Sequence, residues 1–185
     1  MAKETLEQKI KRVTGESVEI SEYDPVWQDR FAAEEKHLRQ CLPAELIIRI
    51  EHFGSTSVSG LAAKPIVDMV IEVTDEDRAR QLVPEILEPQ GYDCFWRPRG
   101  KRNEPPYFTW CIKRNNQGIR THHLHFGRPG FKDAELQFRD ILRSRPDVAA
   151  DYAALKIRLS REYGNDRINY TDAKGEFIQR TLESC

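Results

Sequence analysis

The spacing of apolar residues predicts one helix near the amino-terminal end, followed by a strand-rich centre. Asp24 and Pro25 suit a helix start, because aspartate accepts the free N–H groups of the first turn and proline fits the first helical position. We expect this helix to end near Pro43. Its apolar side, at helical spacing, carries Trp27, Phe31 and Leu38.

Five central segments are rich in β-branched and aromatic residues and have the length of strands. They are residues 46–53, 65–73, 92–96, 107–113 and 119–126. Between the second and third, an amphipathic stretch opens at Asp75 and closes at Gly91, which predicts a helix that Pro84 kinks or divides. Asn115–Gly118 predicts a tight turn between the last two strands.

Helical spacing returns after the strands. We expect a helix from Asp133, a second from Pro146 to Gly164, and a short last helix from about Thr171. This order predicts an α/β (α+β) fold, in which a mixed or antiparallel sheet has helices packed against one face and the carboxyl-terminal part is helical.

Composition and charge narrow the class of protein. The 185 residues suit one domain, and 29 Lys and Arg residues balance 30 Asp and Glu residues, so no overall positive field favours nucleic acid as a partner. The chain lacks the ~20 consecutive apolar residues that a membrane-spanning helix needs, and its start does not resemble a secretory signal, so we expect a cytoplasmic protein. The four cysteines form no C-x-x-C pair and are interpreted as buried or incidental thiols.

The richest chemical signal is Gly54–Asp68, the connection between the first two predicted strands. Glycine lets the backbone approach a ligand closely, and consecutive N–H groups with the hydroxyls of Ser55, Thr56 and Ser57 could surround phosphate oxygens. The aspartate in the second strand could hold a divalent cation that bridges those phosphates. The alternative is a Gly-Ser connection with a capping aspartate.

The same segment resembles the G-S-T-S-V-P-G-L-A-x-K-P-I-x-D motif of the GrpB-like family, within the nucleotidyltransferase superfamily. Ser59 stands where the family usually has proline. The resemblance covers residues 20–182, which we take as the domain, after a polar arm at residues 1–19. Further matching segments are Thr121–Phe126, Phe138–Arg143, Tyr152–Lys156 and Tyr170–Ile178.

The resemblance implies a nucleotidyltransferase-like fold, in which the Gly-Ser turn lies over a triphosphate and Asp68 binds Mg²⁺. Active members usually place a second acid two residues further along the strand, so that both acids point to one side. In this sequence that position is Val70. Glu72 shares the side, but four residues along a strand is roughly 13 Å, too far to replace the missing acid.

Other residues could complete such a site. His123 and His125 alternate with Leu124, so their rings share one face of a predicted strand. If that strand lies beside the strand of Asp68, the three groups would hold a metal ion or contact phosphate; otherwise they are ordinary strand histidines.

Six further residues are weighed as contacts of the phosphate ligand. Lys64 lies inside the matched segment, and Arg99 belongs to the basic run 97–102, whose alternative role is a solvated loop. His52, at the strand end beside the turn, is either a site contact or a structural cap. Lys156 and Lys174, with Tyr170, could lean over the cleft from helices.

Two functions follow. The first is binding of a nucleotide or another phosphorylated small molecule, with nucleotidyl transfer assisted by Mg²⁺ if the protein is catalytic; Asp68, His123 and His125 are then the catalytic candidates. The second is a non-catalytic binding or folding-assistance module. It is suggested by Val70 and by a resemblance to the domain appended to some dephospho-coenzyme A kinases. Base preference, acceptor and oligomeric state are not readable from the sequence.

Overall fold

The computed structural model describes residues 19–98, 107–163 and 166–184, so that Arg99, Gly164 and nearly all of the predicted arm lie outside the described residues. The helices are α1 (Val26–Cys41), α2 (Glu76–Leu87), α3 (Asp133–Ser144), α4 (Pro146–Glu162), α5 (Arg167–Ala173) and α6 (Gly175–Glu183). The strands are β1 (Ile47–Phe53), β2 (Val67–Val73), β3 (Asp93–Pro98), β4 (Tyr107–Arg114) and β5 (Arg120–Gly127). None of the described helices is both long and apolar enough to cross a bilayer.

The five strands form one mixed sheet, as predicted, and their order is β1-β2-β5-β4-β3. Only β2 and β5 run parallel, and every other neighbouring pair is antiparallel. Because successive side chains of a strand point to opposite faces, the register of the parallel pair decides which side chains meet. That register sets Asp68 beside His123 and Val70 beside His125.

One face of the sheet packs against α1 and α2. From the sheet, Met69, Ile71 and Leu124 are fully buried in this core. The helices contribute Trp27 and Val83, which are 1% and 0% exposed. We call this side of the sheet the core face.

The opposite side, which we call the site face, carries Asp68, His123 and His125. Helix α3 lies against its β1 edge, where Leu136 packs with Phe53 and Val70. Helices therefore flank both faces of the sheet, because α3 is amphipathic and its apolar side covers this edge. The sequence had predicted helices on one face only.

The carboxyl-terminal helices pack over the connection between β1 and β2. Phe138 of α3 and Tyr152 of α4 join Val58 and Leu61 of that connection in one buried cluster. The predicted apolar side of the last helix packs against the same cluster; its residues are Phe177, Ile178 and Leu182. This packing brings α4, α5 and α6 beside the Gly-Ser turn.

Two local predictions are wrong. Helix α2 runs through Pro84 without dividing, because Val83 and Leu87 on either side are fully buried in the core and their packing compensates for the missing N–H. Cys94 and Cys111 are not thiols: they lie directly opposite on β3 and β4, with Cα atoms 4.1 Å apart, and form a disulfide. Cys41 is a free, partly buried thiol.

Candidate functional site

Gly54 ends β1 in a conformation that other residues rarely adopt, with φ of 71°. A Cβ atom on this residue would lie 2.6 Å from Oδ2 of Asp68, closer than any real contact. Two features therefore require glycine at this position: the positive φ angle of the backbone and the close approach of the Asp68 carboxylate. The turn Ser55–Ser57 that follows is a single 3₁₀ turn against the side chain of Asp68.

The hydroxyl groups of the turn divide into two kinds. Ser57 donates to the carbonyl of Gly54 at 2.6 Å, and Thr56 donates to the carbonyl of Ile66 at 3.2 Å. Both side chains are buried, so they hold the loop in shape and do not face a ligand. Ser55 is partly exposed and lies next to the hydroxyl of Tyr152.

His52 points away from Asp68, to the core face. Its ring stacks on Phe31 with centroids 4.9 Å apart, and its Nε2 lies 3.0 Å from Thr56 Oγ1, within hydrogen-bond distance. Burial lowers the pKa of His52 to about 4, which keeps the ring neutral. The structure thus places His52 as a support for the turn and not as a ligand contact.

Asp68, His123 and His125 lie together on the site face. Nδ1 of His123 is 2.9 Å from Oδ1 of Asp68, and one nitrogen or oxygen atom of each residue lies within 4.8 Å of the other two. The neighbouring positions of β2 and β5 produce this cluster, so the condition set by the sequence, that the two strands be adjacent, is met.

The charge of Asp68 is supported by its neighbours. Burial alone would raise the pKa of Asp68, but the hydrogen bond with His123 and the positive charge of Lys64 help to lower it to about 2. The carboxylate is therefore ionised at neutral pH. It remains 29% exposed, which leaves it open to a ligand.

Aromatic rings enclose the two histidines. His125 stacks on Phe108 at 5.5 Å and meets the edge of Phe53 at 5.3 Å, while His123 lies 5.3 Å from Trp110. Burial lowers the pKa of His125 well below its usual value, so this ring is neutral. Within the described part of the chain, its buried Nδ1 has no hydrogen-bond partner. Phe108 and Trp110 carried no signal in the sequence, because strand order decides their position.

The strand positions next to Asp68 offer no second carboxylate. Val70 is fully buried between Phe53 and Leu136. Glu72 accepts two hydrogen bonds from Arg49, at 2.7 and 2.8 Å, and one from the N–H of Gly130 at 2.8 Å. Glu72 is thus held in a separate ion pair, four residues along the strand from Asp68.

Lysines approach the turn from three elements, and we call Lys64, Lys156 and Lys174 the lysine cluster. Lys64 and Lys174 lie over the ring of Tyr170, with Nζ atoms 4.8 and 4.5 Å from its centroid. Lys156 of α4 is 2% exposed and donates to the carbonyl of Ala62. Burial, with a smaller contribution from Lys174, lowers the pKa of Lys156 to about 7.

Two further cations lie at the site face. Arg97 packs over Trp110, with its Cζ 5.0 Å from the ring centroid. Lys132 lies 5.9 Å from the centroids of both Phe53 and Phe108, and its charge acts on His125. Lys132 follows a glycine-rich turn and carried no sequence signal. The site therefore pairs one ionised carboxylate with several cations, a charge balance that favours an anionic ligand.

The chain is similar to known proteins of one family. The model of the family described as GrpB protein matches residues 17–184. A UPF0157 protein of Pseudomonas aeruginosa is 38% identical over 176 residues, which are 95% of this chain and 70% of that protein. A UPF0157 protein of Bacillus subtilis is 36% identical over 91% of this chain, which spans only 47% of that relative.

Solved structures agree with the family match. The crystal structure of the conserved protein GrpB from Enterococcus faecalis has a TM-score of 0.75 and 29% identity, and the match covers 90% of this chain and 96% of that one. Cid1 in complex with its short product ApU has a TM-score of 0.51 and 16% identity, over 81% of this chain and 44% of that one. The second likeness concerns the fold alone, which is similar to that of nucleotidyltransferases, as predicted. The chain belongs to the GrpB family.

Proposed function

We propose that this protein binds a nucleotide or another phosphorylated small molecule between the Gly54–Ser55 turn, Asp68 and the lysine cluster. The observation that carries the proposal is the pair Lys64 and Lys174, whose ammonium groups lie within 5 Å of one ring centroid, that of Tyr170. Two positive charges near one ring would both attract a phosphate group that binds beside them.

The three lysines have different roles in this proposal. Lys156 is buried and its ammonium group is bonded to the carbonyl of Ala62, so it holds the loop that ends at Lys64. Lys64 and Lys174 are partly exposed and can reach a ligand. The partly exposed hydroxyl of Ser55 and the N–H groups of the turn would donate to the same phosphate oxygens.

Asp68 would hold a divalent cation that the phosphates help to bind. Mg²⁺ is commonly bound through one or two carboxylates together with substrate phosphates and water, so a single carboxylate is compatible with it. The residues do not fit a two-magnesium centre, because Val70 is apolar and Glu72 is bonded to Arg49 and Gly130. We therefore derive no transfer step, and the proposal concerns binding.

The burial of Val70 favours binding without transfer, and nucleotidyl transfer is the second candidate. A protein that binds nucleotide but lacks the second carboxylate would serve as a binding or folding-assistance module. Release of pyrophosphate from mixtures of nucleotides and acceptors distinguishes the two functions. Sustained release that Asp68→Asn abolishes would establish catalysis; binding without release would establish the module.

The test of binding is calorimetric titration with ATP, GTP, CTP, UTP and coenzyme A precursors, in the presence of Mg²⁺. UTP is the first choice, since Cid1, which is similar in fold, has been solved with the UTP analogue UMPNPP. We expect Lys64→Ala and Lys174→Ala each to weaken binding by at least about tenfold, as for a lost charge-assisted hydrogen bond.

The matched control is Lys36→Ala, because Lys36 is exposed on α1, away from the lysine cluster. Its affinity should equal that of the wild type. The proposal would be contradicted if Lys64→Ala and Lys174→Ala bound with the same affinity as Lys36→Ala. It would also be contradicted if the wild type bound none of these ligands.

A further inference from the structure

The cluster Asp68–His123–His125 has a donor set that differs from that of a magnesium site. Mg²⁺ is a hard cation that prefers oxygen ligands, whereas imidazole nitrogens suit Fe²⁺, Co²⁺, Ni²⁺ and Zn²⁺. Here one carboxylate stands with two imidazoles, and the strand offers no other carboxylate to the cluster. The protein side of this site therefore favours a cation that binds nitrogen.

We propose that Asp68, His123 and His125 form a site for one divalent cation of the Zn²⁺, Fe²⁺, Co²⁺ and Ni²⁺ class, in preference to Mg²⁺. The proposal goes beyond the proposed function in naming the cation at Asp68, and it shares with it only that carboxylate. Three protein ligands leave at least one coordination position open, which a phosphate oxygen or water would take.

The distances within the cluster suit one small ion. Two donor atoms that each lie about 2.1 Å from one metal at right angles are about 3 Å apart. The Oδ1 of Asp68 and the Nδ1 of His123 are 2.9 Å apart. The donor atom of His125 lies within 4.8 Å of the other two, so an adjustment of at most about 2 Å completes the set.

The surroundings of His125 suit a residue that coordinates a metal ion. Its Nδ1 is buried, and among the described residues nothing donates or accepts there. A buried polar atom without a partner costs free energy, and such atoms in native structures usually have an explanation, an ion among them. Phe53 and Phe108 pack on this ring at 5.3 and 5.5 Å, so the imidazole is held in place.

The nearby cations set a second property of the site. Lys64 and Lys132 both act on the cluster, the first on Asp68 and the second on His125. They repel a metal ion, and an anion that neutralises them removes that repulsion. Metal and phosphate should therefore bind cooperatively, and each should raise the affinity of the protein for the other by the same factor.

The experiment is titration with Co²⁺, followed by its visible absorption, and competition by Zn²⁺ and by Mg²⁺. It uses the full chain without reductant in a Cys41→Ser, Cys185→Ser background, because Cys41 Sγ and His37 Nε2 are 3.9 Å apart and could themselves bind zinc. We expect one Co²⁺ per chain, and displacement by Zn²⁺ at concentrations at least about 100-fold lower than by Mg²⁺.

Variants assign the ligands. His123→Gln, His125→Gln and Asp68→Asn should each weaken Co²⁺ binding by at least about tenfold, as loss of a ligand does. The matched control is His122→Gln: this histidine neighbours His123 on β5 but points to the core face, where its Nε2 lies 3.4 Å from the carbonyl of Arg30. Its Co²⁺ affinity should be unchanged, and thermal melting checks that each variant folds.

Three outcomes would overturn the proposal: no Co²⁺ or Zn²⁺ binding, affinity for Mg²⁺ equal to that for Zn²⁺, or Co²⁺ binding that survives in His123→Gln and His125→Gln. Nucleotide titration in the presence of a chelator separates this failure from failure of the proposed function. Lysine-dependent nucleotide binding that persists there supports phosphate binding even if the metal site is wrong.

Discussion

The two faces of the sheet are built from the same strands but carry different kinds of side chain. Along β5, Phe126 points to the core face and is 1% exposed, while its neighbour His125 points to the site face. On the core face, α1 and α2 cover the strands with apolar side chains. On the site face, α3 covers only the β1 edge, and the polar cluster lies beyond it. The covering helices, and not the strands, therefore decide which face of the sheet keeps polar side chains uncovered.

The largest expected effect is on the core face. Phe126→Ala should lower the free energy of unfolding by about 3–5 kcal/mol, since it removes a buried ring and leaves a cavity. Urea denaturation measures the change. Loss of less than about 1 kcal/mol would mean that the core face does not carry the stability of the fold.

A buried histidine gives the next effect, through pH. The pKa of His52 is lowered to about 4 by burial. Between pH 6.5 and 4 the unfolded chain binds a proton at this position and the folded chain does not, so stability falls as the pH falls. At about 1.4 kcal/mol per pH unit, the wild type should lose about 3 kcal/mol across this window relative to His52→Gln.

Urea denaturation at pH 7, 5.5 and 4 on both proteins measures that difference. Parallel loss of stability in the wild type and His52→Gln would show that His52 is open to water. His52 would then be a candidate ligand contact again.

Gly54 tests the contact between the turn and Asp68. Gly54→Ala should cost more than Gly60→Ala, because both glycines have positive φ, 71° and 77°, but only the first would bring a Cβ against Asp68. We expect about 1 kcal/mol for Gly60→Ala and at least about 1 kcal/mol more for Gly54→Ala. Equal losses in urea denaturation would contradict the close approach.

The smallest effect sharpens the contrast along β5. His125→Leu should change the free energy of unfolding by no more than about 1 kcal/mol, because it removes a buried nitrogen that bonds to none of the described residues and keeps an apolar contact with the rings. The same substitution should abolish Co²⁺ binding. Unaltered Co²⁺ binding, or a loss of stability as large as that of Phe126→Ala, would make His125 a core residue.

The fold was predictable from local patterns. The start of α1, the end of β2, the turn at Asn115–Gly118 and the apolar side of α6 follow from spacing and turn chemistry, because each depends on residues close in sequence. The continuation of α2 through Pro84 was not predictable, since packing of Val83 and Leu87 against distant strands decides it. The disulfide likewise depends on the pairing of β3 with β4.

The candidate site was predictable in part. The motif pointed to Gly54 and Asp68, and strand alternation paired His123 with His125, but only strand order shows that all three acidic and imidazole groups meet. The core-face orientation of His52 depends on where β1 ends. Lys132 and Trp110 were missed because their nearness to the histidines comes from tertiary packing alone.

The most direct test is a crystal structure of the full chain grown with Zn²⁺ and a non-hydrolysable UTP analogue, with anomalous data collected at the zinc edge. We predict one anomalous peak between Asp68, His123 and His125, and phosphate density against Ser55, Lys64 and Lys174. Phosphate density elsewhere on the molecule, with Lys64 and Lys174 free of ligand, would contradict the account.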